Sequence, residues 1–183
     1  MSSFTLNADP LKHLIITEAR LEDAPELAKF SRQLFIDSFA HMNSPDDFYA
    51  YVEDAFAPQC IKNELNHPLS RFFIAKCDHI WAGYAKIHKG EPPPCIMDTP
   101  ALEIARLYVH PDFIGRRIGY SLLNHCRQHA MDMGYRSIWL GSWKKNDRGN
   151  RFYERTGFSI TGSTTFTLGN DVQEDHVYSM TLR

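Results

Sequence analysis

The sequence predicts a single-domain α/β (α+β) fold, in which helices flank a mixed and mostly antiparallel central sheet. The chain has 183 residues, 43% of them hydrophobic, which suits one domain with a sizeable core. Residues 102–134 have the pattern of a strand, a glycine-bearing loop and a helix. Residues 158–182 have the pattern of a closing antiparallel hairpin. We therefore expect the domain to span residues 13–183, after an N-terminal extension over residues 1–12.

The first half of the chain predicts one strand, a group of helices and a pair of antiparallel strands. The first helix begins at Asp23 and is buried through apolar residues at helical spacing, with Pro25 in its first turn. The other elements in this half are a strand at 13–17, helices at 45–56 and 58–65, and strands at 71–76 and 80–88.

The second half is organised around the central strand at 102–109. The helix that follows carries its apolar residues on one face and should end at Gly134, in the left-handed conformation that glycine favours. A strand at 137–143 comes after this helix and should lie parallel to the central strand. A short helix at 147–155, ended by Gly157, leads into hairpin strands at 158–166 and 172–182, joined by residues 168–171.

Composition excludes several classes of protein. The net charge of −2 gives no electrostatic case for nucleic-acid binding. The four cysteines are widely spaced and no zinc-ligand spacing is present, so we expect no metal site. There is no membrane-length apolar run, and we expect no secretory signal. We expect a soluble cytoplasmic protein with no membrane partner, for which a homodimer is possible.

The loop after the central strand has unusual chemistry for a plain connection. Arg116 and Arg117 stand at the start of the following helix, where the helix dipole disfavours cations and free N–H groups favour anions. Gly115 and Gly119 remove side chains that would block a close approach. This combination is typical of a pyrophosphate site, and a surface turn with two solvated arginines explains the residues equally well. The loop has neither the P-loop nor the three-glycine dinucleotide pattern.

Two motifs resemble those of the GNAT superfamily of N-acetyltransferases. Residues 114–119 resemble its Gln/Arg-x-x-Gly-x-Gly/Ala loop, with departures at Ile114 and Arg117. Asn146, followed by the Phe-Tyr-Glu-x-x-Gly-Phe pattern at 152–158, resembles its second signature. The order of elements from 13 to 182 is also that of the GNAT fold. The chain also resembles one subgroup, the PaiA-like spermidine/spermine N-acetyltransferases. The residues that carry this resemblance are 33–39, 106–109, 140–143 and 167–173, together with Asp175.

The resemblance implies acetyl-CoA as cosubstrate and a set of residues that bind it. Backbone groups of the central strand would line the pantetheine arm, and the loop would hold the pyrophosphate. Asn146 would hydrogen-bond the cofactor arm, although it is also a plausible helix N-cap. The remaining residues implied are Leu107, Tyr108, Val109, Ile114, Gly115, Arg116, Arg117, Ile118, Gly119 and Tyr120.

The resemblance also implies catalytic residues. Tyr153 matches the tyrosine that donates a proton to the departing sulfur; alternatively, it only packs a short helix. Glu103 lies where many family members place a water-assisted base, and is equally explained as a solvent-facing carboxylate. Strand alternation predicts that Glu103 shares a face with Ala105, Leu107 and Val109. The amine could also lose its proton to water without a dedicated base.

The expected reaction is direct attack of a small primary amine on acetyl-CoA in a ternary complex, with polyamines favoured. No cysteine stands in a nucleophile signature, which argues against an acetyl-enzyme. Alternatives are acetylation of a peptide or protein amine, and a sensor module that binds acetyl-CoA without turnover. Candidates for lining the acceptor site are His41 and Trp143, although His41 could as easily cap the first helix. The acidic residues Asp46, Asp47, Glu53 and Asp54 are further candidates, but a solvated helix face is the favoured explanation for any single one of them.

Overall fold

The computed structural model describes residues 13–183, so the predicted extension over residues 1–12 lies outside the described residues. The described chain forms one seven-stranded sheet flanked by five α-helices. The strands are β1 (Leu14–Glu18), β2 (Ser70–Cys77), β3 (Ile80–His88), β4 (Ala101–Val109), β5 (Ser137–Trp143), β6 (Ser159–Leu168) and β7 (Asp171–Thr181). The helices are α1 (Ala24–Phe39), α2 (Pro45–Ala55), α3 (Pro58–Asn66), α4 (Ile118–Asp132) and α5 (Asp147–Arg155).

The sheet has the order β1-β2-β3-β4-β5-β7-β6, and only the β4–β5 pair within it is parallel. The α/β class and the mixed, mostly antiparallel sheet predicted from the sequence are therefore confirmed. The closing hairpin turns through two residues instead of the four predicted, because Leu168 pairs with Asp171. Gly169 makes this short turn possible, since it adopts a φ of +61°.

The parallel pair separates soon after it forms. Ala101, Leu102 and Glu103 pair with Ser137, Ile138 and Trp139, and no further rungs join the two strands. The remaining residues of β4 and β5 diverge, which leaves a cleft in the middle of the sheet. Backbone groups at such a cleft are free to bind a ligand instead of a neighbouring strand.

Apolar side chains cover both faces of the sheet. On one face α4 packs through Ile118, Leu122 and Cys126, as its periodicity predicts. On the other face α1, α2 and α3 bury residues such as Leu27 and Phe48. Burial of each such side chain contributes about 1.5–3 kcal/mol. The cleft between β4 and β5 therefore lies in a sheet that is covered by helices on both faces.

A β-bulge in β4 changes which residues share a face. Lys86 pairs with Arg106, but the next residue of β3, Ile87, pairs with Ile104, so Ala105 is the extra residue. Leu107 consequently lies on the α4 side with Ile104. Glu103, which pairs with His88, lies on the opposite side. The prediction that Glu103 shares a face with Leu107 and Val109 is wrong, because it assumed unbroken alternation.

No helix among residues 13–183 combines the length and the apolar character that crossing a membrane requires.

Candidate active site

Two cavities meet at the cleft between β4 and β5. The larger has a volume of about 710 Å³ and extends along the loop between β4 and α4. The smaller has a volume of about 190 Å³ and lies between the early helices and the β6–β7 hairpin. Five residues line both cavities: Phe39, Leu107, Tyr108, Asn146 and Tyr153. Groups from two ligands, one in each cavity, would therefore meet beside these side chains.

The larger cavity contains nearly all of the residues that the sequence implicated in cofactor binding. Arg116 is the exception, because its guanidinium lies over the Phe113 ring, 5.3 Å from the ring centroid. The structure thus separates the two neighbouring arginines, with Arg117 in the cavity wall and Arg116 outside it. The other predicted residues that line the cavity are Leu107, Tyr108, Val109, Ile114, Gly115, Ile118, Gly119, Tyr120 and Asn146.

The N-terminus of α4 forms part of the cavity wall. Arg117 is its N-cap residue, and no side chain caps the first-turn N–H groups there. Arg117 adopts φ +61° and ψ 9°, a left-handed conformation that costs a residue with a side chain about 1–2 kcal/mol. Gly115 has a φ of +80°, and a Cβ there would meet no atom within 4 Å. Uncapped amides, an arginine and an open glycine form a surface that suits an anion.

Asn146 occupies the start of α5. Its side-chain oxygen accepts a hydrogen bond from the Gly149 N–H at 3.0 Å, so it is the N-cap, as the alternative reading of the sequence anticipated. The residue nevertheless lines both cavities. A Cβ at Gly149 would lie 2.4 Å from Asn146 Nδ2, so the glycine is needed for this orientation.

A buried hydrogen-bond network fixes α5 against the end of β5. Asn150 donates to the carbonyl oxygens of Trp143 and Lys144, each at 3.1 Å. Its own side-chain oxygen accepts from the Ser142 hydroxyl at 2.8 Å. Every polar atom of this buried amide side chain is thus engaged, and the helix that carries Tyr153 is held rigidly.

Tyr153 lies between the two cavities with only 9% of its surface exposed. Its ring packs against those of Phe152, Phe158 and Tyr178. Burial raises the pKa of the Tyr153 hydroxyl far above its usual value, and the nearby Cys126 and Tyr178 act in the same direction. The hydroxyl therefore keeps its proton at neutral pH and is available as a hydrogen-bond donor.

Aromatic and polar side chains share the wall of the smaller cavity. The polar or charged residues of the wall include Asp175 from β7, Arg106 from β4, and Asn43, Ser142, Asn146 and Gln173. Burial raises the pKa of the Asp175 carboxyl to about 6. A Cβ at Gly141 would lie 3.3 Å from Asp175 Oδ2, so this carboxylate rests against the bare backbone of β5. The aromatic residues of the wall are Phe35, Phe39, Tyr51, Phe56, Tyr108, Trp143, Tyr153 and Phe166.

The charge of Arg106 is neutralised within the protein. Its guanidinium donates to both carboxylate oxygens of Glu64, at 2.7 and 3.1 Å, and Lys86 donates to the same carboxylate at 2.8 Å. Burial lowers the pKa of Lys86, and the neighbouring positive charge of Arg106 lowers it further. Glu64 is therefore the partner of two largely buried cations.

Glu103 lies beside this network and lines neither cavity. Burial raises the pKa of its carboxyl, while Lys86 opposes the shift. The structure therefore does not bring Glu103 to the cleft with Tyr153, although the family resemblance offered it as a candidate base. The bulge at Ala105 and the nearby Lys86 explain its position on the other side of β4.

The acidic residues expected at the acceptor site do not line either cavity. Asp47 accepts hydrogen bonds from the backbone and side-chain nitrogens of Asn170, at 3.1 and 3.0 Å, and so ties α2 to the hairpin turn. Glu53 pairs with Arg32 of α1. Of the two other residues expected there, Trp143 lines the smaller cavity and His41 lines the larger one.

Sequence reasoning missed two residues of this site. Asp175 was noted only as part of a subgroup resemblance. Asn150 was not singled out, although a polar residue on the apolar side of a short helix is a signal for a buried hydrogen-bond network. For Asp175 the signal was its position two residues before the buried Val177 on one strand, which places a carboxylate on an inward-facing position.

Comparison with known sequences identifies the family. The family model described as "Acetyltransferase (GNAT) family" matches residues 32–158. The chain belongs to this family, whose members are acetyl-CoA-dependent N-acetyltransferases, as the sequence motifs indicated. An uncharacterised N-acetyltransferase of Lactobacillus delbrueckii subsp. lactis is 29% identical over 167 residues, covering 91% of this chain and 96% of the relative. A spermidine N(1)-acetyltransferase of Thermoplasma acidophilum is 22% identical over 149 residues, covering 79% of this chain and 88% of the relative.

Solved structures show the same fold. The PaiA N-acetyltransferase of Thermoplasma acidophilum, crystallised with coenzyme A, superposes with a TM-score of 0.73 at 18% identity. The alignment covers 92% of this chain and 98% of that protein. The predicted GNAT fold is thereby confirmed.

Proposed function

We infer that this N-acetyltransferase transfers the acetyl group to a primary amine of a small molecule, by direct attack within a ternary complex. Polyamines such as spermidine and spermine are the favoured acceptors. The observation that carries the proposal is the meeting of the two cavities at Tyr153. One cavity suits a long ligand with an anionic end, and the other is small and lined by both aromatic and polar side chains. The similarity to a spermidine N(1)-acetyltransferase supports a polyamine as the first acceptor to test.

The larger cavity has the groups needed to hold acetyl-CoA, which supplies an acetyl thioester as the electrophile. Arg117 and the first-turn amides of α4 would bind the pyrophosphate, because both present N–H donors and positive potential. Gly119 lines the same wall, and the absence of a side chain there lets the backbone approach the ligand. Backbone groups of Leu107, Tyr108 and Val109 would line the pantetheine arm, since β4 has no β5 partner at these residues.

Tyr153 would act on the departing sulfur. Its raised pKa keeps the hydroxyl protonated, so it donates a hydrogen bond to the developing thiolate. A thiol is a stronger acid than this hydroxyl, so complete transfer of the proton requires Tyr153 to be reprotonated as the nitrogen loses its own proton. The packed rings around Tyr153 and the Asn150 network hold the hydroxyl in one position.

The proposal is tested by release of free CoA thiol from acetyl-CoA with a panel of amines. The panel contains spermidine, spermine, diamines, amino acids and a lysine-containing peptide, and CoA binding is measured on the same sample. We expect saturable release with a polyamine. The matched control is Tyr153→Phe, which removes a single hydroxyl.

Each contrary result has a definite meaning. Release with the peptide alone would move the acceptor to a protein amine. Binding of CoA without release for any amine would contradict the proposed acceptor class and favour a sensor of acetyl-CoA. Absence of both binding and release would mean that the altered loop, with Arg117 in place of the usual glycine, does not hold the cofactor.

A further inference from the structure

Asp175 is the only acidic residue that the described chain contributes to the smaller cavity. It lies on β7 directly opposite Trp143, near the end of β5. The carboxylate rests against Gly141, where any side chain would crowd Oδ2. The acid is therefore placed at the cleft, in the same cavity wall as Tyr153.

Asp175 has no cationic partner among the residues that the structure describes. Residues 13–183 provide it with no ion-pair partner within 4.0 Å. The basic residue in the same wall, Arg106, is engaged by Glu64 through two hydrogen bonds. A partly buried carboxylate without a partner is costly, and a cationic ligand would remove that cost.

Arg106, whose charge Glu64 neutralises, is the other charged residue that residues 13–183 place in the cavity with the Asp175 carboxylate. The titratable groups that share its cavity are Arg106 from β4, Tyr51 from α2, and Tyr108 and Tyr153. Its neighbours along β7, Glu174 and His176, belong to the opposite face by strand alternation. Glu174 forms an ion pair with Lys144 at 3.1 Å. The aromatic rings of the wall would also favour a cation through their negative faces.

We propose that Asp175 receives the ammonium group of the acceptor amine and accepts a proton from it. This inference rests on the proposed function and deepens it, because it identifies the base and explains why a cationic amine would enter an aromatic cavity. Asp175 replaces Glu103 in that role, since Glu103 lies outside both cavities.

Transfer of the acetyl group removes two protons from the ammonium nitrogen. The ammonium nitrogen gives its first proton to Asp175, and the free lone pair then forms the bond to the acetyl carbon. The carbon–sulfur bond breaks as Tyr153 gives its proton to the sulfur. The nitrogen loses its second proton to Tyr153, which restores the hydroxyl. Asp175 releases the first proton to solvent, so each amide formed yields one thiol and one proton.

The raised pKa of Asp175 suits this task. At about 6 it leaves most of the carboxylate ionised at neutral pH, ready to bind a cation. It also brings the carboxyl closer to the pKa of an amine than an ordinary aspartate would be, which improves a general base. The pH profile of kcat/KM should therefore lose activity on its acid side near pH 6.

The test compares Asp175→Asn with Glu174→Gln as a matched neighbouring control and with Glu103→Gln as the rival base. The acceptor is the amine of the panel that the wild-type protein acetylates fastest. We expect Asp175→Asn to lower kcat/KM for the amine by about 10²–10⁴-fold, to abolish the acid limb near pH 6, and to leave CoA affinity within about threefold. Glu174→Gln and Glu103→Gln should change kcat/KM by less than about threefold, because neither side chain lines the cavity.

Each other result overturns a defined part of the reasoning. Wild-type kcat/KM in Asp175→Asn overturns the inference and leaves the proposed function standing. A loss of rate with the acid limb retained overturns proton acceptance, as does a large loss in Glu103→Gln alone. If the wild-type protein acetylates no amine of the panel, the proposed function fails, and the role of Asp175 fails with it.

Discussion

Replacement of Arg117 by glycine should raise the stability of the protein and lower its affinity for CoA. Arg117 holds a φ of +61° at the start of α4, where a residue with a side chain loses about 1–2 kcal/mol. Glycine removes this strain but adds about 0.5–1 kcal/mol of backbone entropy to the unfolded chain. We therefore expect a net gain of up to about 1.5 kcal/mol, seen as a rise in Tm of up to about 6 °C.

The same substitution should weaken CoA binding. A hydrogen bond from a guanidinium to a phosphate contributes about 1.5–3 kcal/mol, and the exposure of Arg117 favours the lower value. The expected loss is therefore about tenfold in Kd. Isothermal titration calorimetry with CoA gives the affinity, and thermal unfolding without ligand gives the stability.

Arg117→Ala is the matched comparison for this prediction. It removes the same charge but keeps a side chain at the left-handed position, so its affinity should fall equally while its stability does not rise. CoA affinity that is unchanged in both variants would refute the assignment of Arg117 to the pyrophosphate. A fall in Tm for Arg117→Gly would refute the argument from backbone strain.

Four further substitutions test other parts of the structure. Tyr153→Phe should lower kcat by about 10²–10³-fold with CoA affinity within about threefold, measured by thiol release and calorimetry. Gly149→Ala should displace the Asn146 cap and weaken CoA binding by about three- to tenfold, because the new Cβ would lie 2.4 Å from the amide nitrogen; equal affinity would contradict a role for that amide. Glu64→Gln should destabilise the fold by about 2–4 kcal/mol, since it leaves two partly buried cations without a counter-charge, and chemical denaturation measures the loss. Asp175→Asn should raise Tm at pH 7.5 and not at pH 4. The pKa of the Asp175 carboxyl is raised from 3.8 to about 6 in the folded protein, so its ionisation destabilises the fold increasingly as the pH rises between these two values, and fully above them. The rise in pKa corresponds to a destabilisation of about 3 kcal/mol, which solvent screening at this partly exposed group reduces to about 1 kcal/mol.

Much of the fold was predictable because local signals and tertiary packing agree. The bounds predicted for β5 and α5 match the structure, and α4 ends beside Gly134, whose φ is +78°. Glycines at helix ends and a single apolar face on α4 are local properties that read directly from the sequence. The parallel β4–β5 pair followed from the helix between the two strands.

The candidate site was less predictable because it depends on non-local geometry. The bulge at Ala105 leaves no clear mark in the sequence, yet it moves Glu103 to the other side of the sheet relative to Leu107. Arg116 and Arg117 are chemically identical neighbours, and only the backbone conformation separates them. Strand alternation in β7 places Asp175 on an inward-facing position, but its surroundings come from helices and strands that are distant in the sequence, so the local pattern does not show which cavity it lines.

The two cavities share few of the residues that line them. Of residues 13–183, five belong to both walls, so most of the smaller cavity is built from side chains that do not line the larger one. Tyr51, Phe56 and Phe166 are three such side chains, contributed by the region around α2 and by β6. Under the proposed function, substitutions at these positions would change which amine the smaller cavity admits, while the residues that line the larger cavity stay in place. A change of acceptor would then require changes in the wall of the smaller cavity alone.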